Sequence, residues 1–282
     1  MNKLKRLFIT MTAFIIACVC MLGLMACSKE DIVKAKFNIE IYNYTDSEMD
    51  SFTLDVDLYR HLAPKTVNAI SKYIKDGYYD NTVFYKLDEH SKQFMIGDLK
   101  YDPELQENEG FYLNEEMPTV EGEFKHGGTT GSNLKHNNGT VGLWRTWAAQ
   151  DVSYNMGRTG TDSGRATLFM PTARMQAYDD YFCVFGVYDV EDTENKKTVL
   201  ALTSTFSNEN YKEFVIYYTR EADGSLAFHC VNADNFFKDD IENLYEAKAG
   251  SAELACYNYY TIQVPMNAQG QVAALIKSAK IK

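Results

Sequence analysis

Positive charge is scarce in this chain. Of its 282 residues 28 are Lys or Arg against 39 Asp or Glu, and the formal net charge is −11. Residues 1–27 hold Lys3, Lys5 and Arg6 and no acid, which leaves −14 for the rest. Such a surface repels nucleic acid and anionic headgroups, and no basic patch with interleaved aromatics interrupts it, so no nucleic-acid partner is expected. Cysteine is sparse too. Beyond residue 27 there are only Cys183, Cys230 and Cys256. An odd, widely spaced set makes a poor disulfide framework. A Cys230–Cys256 bridge and buried free thiols are the alternatives. The histidines are scattered: His126 and His136 lack ligand spacing with Cys or Glu, and His61, His90 and His229 complete no Ser/His/Asp or Cys/His motif. No metal, no cofactor and no triad chemistry is therefore expected, and the two loop histidines read as loop residues. There is no internal repeat and no low-complexity linker to mark a second independent domain.

What is present begins with the N-terminus. Lys3, Lys5 and Arg6 precede an apolar run from Leu7 to Ala26, the layout of a secretory signal. It ends in Leu24-Met25-Ala26-Cys27, similar to the lipobox of bacterial lipoproteins, in which the cysteine is lipidated and becomes the first residue. An uncleaved membrane helix is the alternative, since the run is long enough to span a bilayer. The small residue before Cys27 and the polar Ser28-Lys29-Glu30 favour lipidation of Cys27. The expected organisation is a signal peptide over 1–26, a tether over 27–35 and a folded domain over 36–282. The location is then the outer face of a cell membrane, held by a lipid anchor, with a monomeric chain.

Hydrophobic content of 45% and charge of 24% suit one sizeable core. Phe37, Ile39 and Ile41 alternate with polar residues, as do Phe52, Leu54, Val56 and Leu58, so two strands flank the acidic turn Thr45–Asp50. Pro64 suits the first position of a helix whose one face carries Val67, Ile70 and Ile74, and Gly77 suits its end. Thr82–Leu87 is strand-like. Gly127, Gly128 and Gly131 lack the strand-to-helix context of a phosphate loop and read as a surface loop. A second helix fits Lys197–Phe206. Asp223-Gly224 between two strand-like runs predicts a hairpin, and Asp234 a helix cap before Phe237, Ile241 and Leu244.

The segment 63–98 holds Ala63-Pro64-Lys65-Thr66-Val67, then Phe84-Tyr85-Lys86-Leu87, then Phe94-Met95-Ile96-Gly97-Asp98. In that order the three resemble A-P-x-T-V, F-H-R-V and F-M-x-Q-G-G-D (without its glutamine) of the cyclophilin family of peptidyl-prolyl cis–trans isomerases. Further on, Leu134-Lys135-His136 resembles L-x-H, the Ser163–Met170 run N-G-S-Q-F-F-I, and Tyr178–Gly186 L-D-G-x-x-x-V-F-G. The closing run Val272–Ile281 is similar to the last strand. The resemblance covers roughly 36–206 and 257–281. It implies a mainly β fold: a closed eight-stranded antiparallel barrel capped by two helices, with residues 207–256 as an α+β insertion.

The family's chemistry needs an apolar pocket for a proline ring and a donor for the twisted amide. Carried over by position, Phe94, Met95 and Phe169 are the pocket, and Lys86 takes the place of the catalytic arginine. Thr167 falls on a glutamine, Trp144 and Arg145 on the alanine and asparagine of M-A-N, Tyr178 on the pocket leucine, Phe182 on a histidine, and Ala177 on a tryptophan. The resemblance implies a membrane-tethered, extracytoplasmic isomerase-like protein that assists folding of X–Pro polypeptides, with reduced activity. A non-catalytic proline-peptide-binding or scaffold module on the same fold is the alternative. A solute-binding lipoprotein lacks the two α/β lobes it would need.

Overall fold

The structure is a computed structural model that describes residues 31–87, 90–115, 117–125, 134–145, 162, 164–207, 210–236 and 259–282. The chain divides into two units, 1–32 and 33–282. Cys27, the signal segment, the glycines 127–131 and Cys256 lie outside the described residues. The described elements are strands β1 (Ile32–Asn43) and β2 (Glu48–Tyr59), helix α1 (Pro64–Lys75), then β3 (Thr82–Val83), β4 (Gln93–Ile96), β5 (Leu99–Tyr101), β6 (Phe111–Leu113), β7 (Thr140–Leu143), β8 (Leu168–Pro171) and β9 (Cys183–Val187). Helix α2 (Thr193–Ser207), β10 (Tyr211–Arg220), β11 (Leu226–Asn232), β12 (Tyr259–Pro265) and β13 (Ala274–Ile281) follow.

One sheet runs in the order β4-β8-β7-β9-β2-β1-β13-β3-β5-β6. It curls back on itself. Just past β3, Tyr85 and Met95 of β4 exchange backbone hydrogen bonds of 3.1 and 2.8 Å, so eight strands close and β5–β6 project as an arm. Closure removes the free edges that an open sheet exposes. The pleat explains the filling. Ala35, Phe37, Ile39 and Ile41 of β1 and Leu54, Val56 and Leu58 of β2 are all buried, each on the inward side of an alternating strand. The remaining void among them is about 10 Å³, too small to weaken the packing.

The two helices close the barrel in different ways. Ala63 at the start of α1 has no side chain to cap with, so buried Glu123 reaches across and accepts the N–H groups of Lys65 (3.0 Å) and Thr66 (2.7 Å). Gly77 beyond its end has φ +76°, the left-handed geometry expected there. Helix α2 starts four residues before the predicted Lys197, because Asp192 Oδ1 accepts from Glu194 and Asn195, both at 3.0 Å. Buried Asn195 then bonds both backbone groups of Asp55, which ties α2 to β2.

Strands β11-β10-β12 form a second, three-stranded sheet. Gly224 at φ +87° makes the hairpin turn that the Asp-Gly pair predicts. Its apolar face, Phe214, Ile216, Cys230, Ile262 and Val264, packs in one cluster with Val83 and Tyr85 on the barrel's outer side and with Leu99 and Phe111 of β5 and β6. Two polar stitches fix it. Lys86 and Gln263 exchange backbone hydrogen bonds of 2.9 Å each. The Asn108 side chain accepts from the Cys230 N–H (3.2 Å) and donates to the Phe228 carbonyl (3.4 Å). Cys230 is a buried free thiol, as is Cys183. Asp234 lies in a single 3₁₀ turn, Ala233–Asn235, capped by Asn232; the helix predicted after it lies outside the described residues.

Candidate functional site

The register of β4 against β8 decides which side chains meet. Phe94 pairs with Met170 and Met95 with Phe169. Alternation sends Phe94 and Met170 into the barrel core and Met95 and Phe169 to the outer face. The Phe169 ring lies across β7 at Gly142, where a Cβ would come within 2.4 Å of it. Only glycine leaves room for the ring in that place.

Four more rings assemble around Phe169. Trp144, held by its N–H to the Thr167 carbonyl (2.8 Å), stacks on Phe182 with centroids 5.1 Å apart. Phe182 stacks in turn on Tyr178 at 4.8 Å. Phe169 stands edge-on to all three, at 72–84° between planes. The imidazole of His136 lies parallel to Phe169, 5.4 Å away, and edge-on to Tyr178 and Phe182. Offset stacks and edge contacts of this kind add to the burial of the rings. Met95 and Phe169 have no exposure left, while Trp144 and Tyr178 stay half-buried at the surface.

The charged groups around the rings are held by specific partners. Asp179 accepts from the His136 N–H and Nδ1 (3.1 Å each) and from both terminal nitrogens of Arg174. Desolvation alone would raise its carboxyl, but these donors outweigh that and hold it at about 2. His136 is lowered as well, but by burial, which depresses its imidazole against the opposing pull of Asp179. Its Nε2 has no hydrogen-bond partner among the described residues. Arg145 is buried beneath the stack, donating Nε to the Tyr181 carbonyl (2.8 Å), with its guanidinium 4.8 Å from the Phe124 ring and 5.1 Å from that of Phe182. Desolvation brings it down to about 10, so it stays charged at neutral pH.

Lys86 is placed elsewhere. Its ammonium sits 5.6 Å from the Phe94 ring and 5.0 Å from that of Phe206 in α2, rings that belong to the inner core. Half-burial lowers its pKa by desolvation. On the outer face its neighbour Tyr85 donates to both oxygens of Asp98 (3.0 and 2.9 Å), and the Thr167 hydroxyl reaches the same carboxylate. Burial raises Asp98 despite these bonds.

Of the residues expected from sequence, the fold therefore gathers Met95, Trp144, Phe169, Tyr178 and Phe182 in one cluster with Arg145 against it. Thr167 is one polar step away, and Lys86 and Phe94 lie on the inner side. His136 and Asp179 were not expected to join. Their signal was present in the L-x-H and L-D-G matches, but scattered histidines gave no reason to pair them. A cleft of about 390 Å³ opens beside Tyr178, between Ser91–Gln93 and Arg174–Tyr178. Among the described residues no group of three or more His, Cys, Asp or Glu is placed to hold a metal ion.

The family described as cyclophilin type peptidyl-prolyl cis-trans isomerase/CLD matches residues 44–213, more than half of the chain. No curated protein matches. Among solved structures, a Cryptosporidium parvum cyclophilin type peptidyl-prolyl cis-trans isomerase is 15% identical with a TM-score of 0.36, over 59% of this chain and 83% of that one. A structure of such an isomerase from the same organism, in the presence of the dipeptide Ala-Pro, is 16% identical with a TM-score of 0.33, over 57% and 83%.

Proposed function

The chain belongs to the cyclophilin type peptidyl-prolyl cis-trans isomerase family, and we propose that it is a proline-peptide-binding, isomerase-like protein with attenuated turnover, tethered through Cys27 to the outer face of a cell membrane. Rotation about an X–Pro bond faces a barrier of ~18–20 kcal/mol from amide resonance, while the isomers differ by only ~0.5–1 kcal/mol. A catalyst needs no nucleophile and no metal. It needs an apolar seat for the ring and a donor that acts better on the twisted amide than on the planar one.

The observation that carries this reading is the aromatic cluster. Met95 and Phe169 provide an apolar floor on the outer face, but Trp144, Phe182 and Tyr178 already stack over it. A proline ring must either displace one of these rings or lie on their exposed faces. Either outcome supports binding with weak catalysis. The donor is the second weak point. Lys86 carries charge without the planar fork of an arginine, and it sits over Phe94 and Phe206. Arg145 has the fork but spends Nε on the Tyr181 carbonyl.

The burial of Met95 and Phe169 also favours a second reading, a binding module with no turnover. One experiment separates the two. The full chain in neutral detergent is assayed for isomerisation of a proline tetrapeptide and, in parallel, for peptide binding by fluorescence anisotropy. Turnover above the uncatalysed rate selects the attenuated enzyme. Binding without turnover selects the module, and neither would sink both. Among the described residues no helix is long and apolar enough to cross a membrane. The anchor is tested by mass spectrometry of the mature protein, where an unmodified Cys27 would overturn it.

A further inference from the structure

We infer that the cleft beside Tyr178 is a second subsite, which takes the polypeptide segment flanking the bound proline and prefers an acidic side chain there. The inference rests on the proposed proline-peptide binding. Three observations carry it.

The first is continuity. Tyr178 is the outer ring of the stack and also a wall of the cleft. Gln93 and Met95 are two residues apart on β4 and so project to the same side. A chain lying over the Met95–Phe169 floor has this cleft as its next surface.

The second is Gln93. It is 1% exposed, and its Oε1 accepts no hydrogen bond among the described residues. Among the described residues its Nε2 has only the Met95 sulfur, at 3.5 Å, a weak acceptor. Buried amide oxygens are almost always satisfied, and Gln93 is one of the residues lining a cleft of about 390 Å³. A peptide N–H entering the cleft supplies the missing donor.

The third is charge. Among the described lining residues there is no carboxylate, on a chain whose net charge is −11. Lys92 stands exposed at the rim with no ion-pair partner among the described residues. The neighbouring cations are committed: Arg174 and Lys135 to Asp179, and Lys125 to Asp180. Among the described residues around the cleft Lys92 is thus the cation left for a ligand, and its complement is a carboxylate side chain near the proline.

The test uses the full chain in neutral detergent and fluorescent seven-residue peptides with a central proline. Each carries Glu, Gln or Lys two positions before or two positions after it. In one of the two placements the Glu peptide is expected to bind about fivefold tighter than the Lys peptide at low salt, an effect that added salt weakens. Lys92→Glu should reverse that order. Gln93→Met, close in volume, should weaken all peptides of that placement without changing their charge order. If Glu, Gln and Lys peptides bind within twofold of one another in both placements, the subsite is refuted while the proline reading stands. A preference that survives Lys92→Glu refutes the assignment to this cleft. If no proline peptide binds at all, the proposed function itself falls, and the subsite with it.

Discussion

The barrel has two apolar clusters that share strands and differ in kind. The inner one is built mainly from aliphatic side chains of long alternating strands, Ile39, Ile41, Leu54, Val56, Leu58 and Ile276 among them. The outer one joins aliphatic side chains of β10 and β12 to a group of stacked rings, of which Trp144 follows β7 and Tyr178 and Phe182 lie between β8 and β9. The strand pairings fix the first. The second depends on two loops holding their rings in register, so its chemistry can change while the barrel stays the same. The sharpest way to separate the clusters is to hollow out the first. Leu54→Ala removes a fully buried side chain from a core with almost no void. It is expected to cost about 3 kcal/mol of stability, read by urea unfolding, with affinity of the folded protein for proline peptides unchanged. A change in affinity comparable to that in Phe182→Ala would mean the two clusters are one functional unit.

Acid should distinguish them next. Asp179 is held at about 2 against an ordinary 3.8, so its contribution is complete above pH 3.8 and is lost as pH falls toward 2. The full contribution is on the order of 2 kcal/mol at neutral pH. His136 is depressed from 6.5 and so acts in the same sense: its contribution is complete above 6.5 and declines as pH falls below that value. Asp98, raised by burial, acts in the opposite sense, so the informative quantity is the difference between wild type and Asp179→Asn. That difference should be about 2 kcal/mol at pH 7 and roughly half as large at pH 3. An equal difference at both values would remove the charge of Asp179 from the account.

The contrast also explains what the sequence could disclose. Alternation in β1 and β2, Pro64 at the start of α1, Gly77 at its end and the Asp223-Gly224 turn each follow from local chemistry, and each was legible. The early start of α2 was not, because Asp192 lies outside the apolar periodicity and acts only as a cap. The five outer aromatic or thioether positions were found through motif matches, since apolar identity alone does not tell a groove from a core. The face of Lys86 was beyond reach. The strand there is only two residues long before it pairs with Met95 on one side and Gln263 on the other, and no local pattern specifies that junction.

Trp144 offers a smaller but more direct break. It fills the space above Phe169 from a half-buried position, so its loss disturbs the core less than that of an inner ring. Trp144→Ala should open a seat for a proline ring and raise isomerase kcat/KM about tenfold, on the order of 1.4 kcal/mol of barrier. The check is the tetrapeptide assay with the folded variant confirmed by its unfolding curve. An unchanged rate together with tighter peptide binding would favour the binding module.

The smallest expected effect belongs to Lys86, which stands between the two clusters. Its backbone joins the three-stranded sheet to the barrel, and its ammonium lies over rings of the inner core. An ammonium over Phe94 and Phe206 is attracted to their faces, and that attraction opposes swinging out toward a substrate amide. Desolvation lowers its pKa, and its ammonium lacks the fixed plane of donors that an arginine presents. Lys86→Arg adds length and a planar set of donors that can stack on the same rings while an outer N–H reaches past them. The gain should be about fivefold in kcat/KM, near 1 kcal/mol, with peptide affinity little changed. Lys86→Met keeps the apolar stem against the rings and removes the cation, and it should abolish whatever turnover remains. If Lys86→Met were as active as wild type, the donor would have to come from the outer face, and Arg145→Met would become the deciding variant.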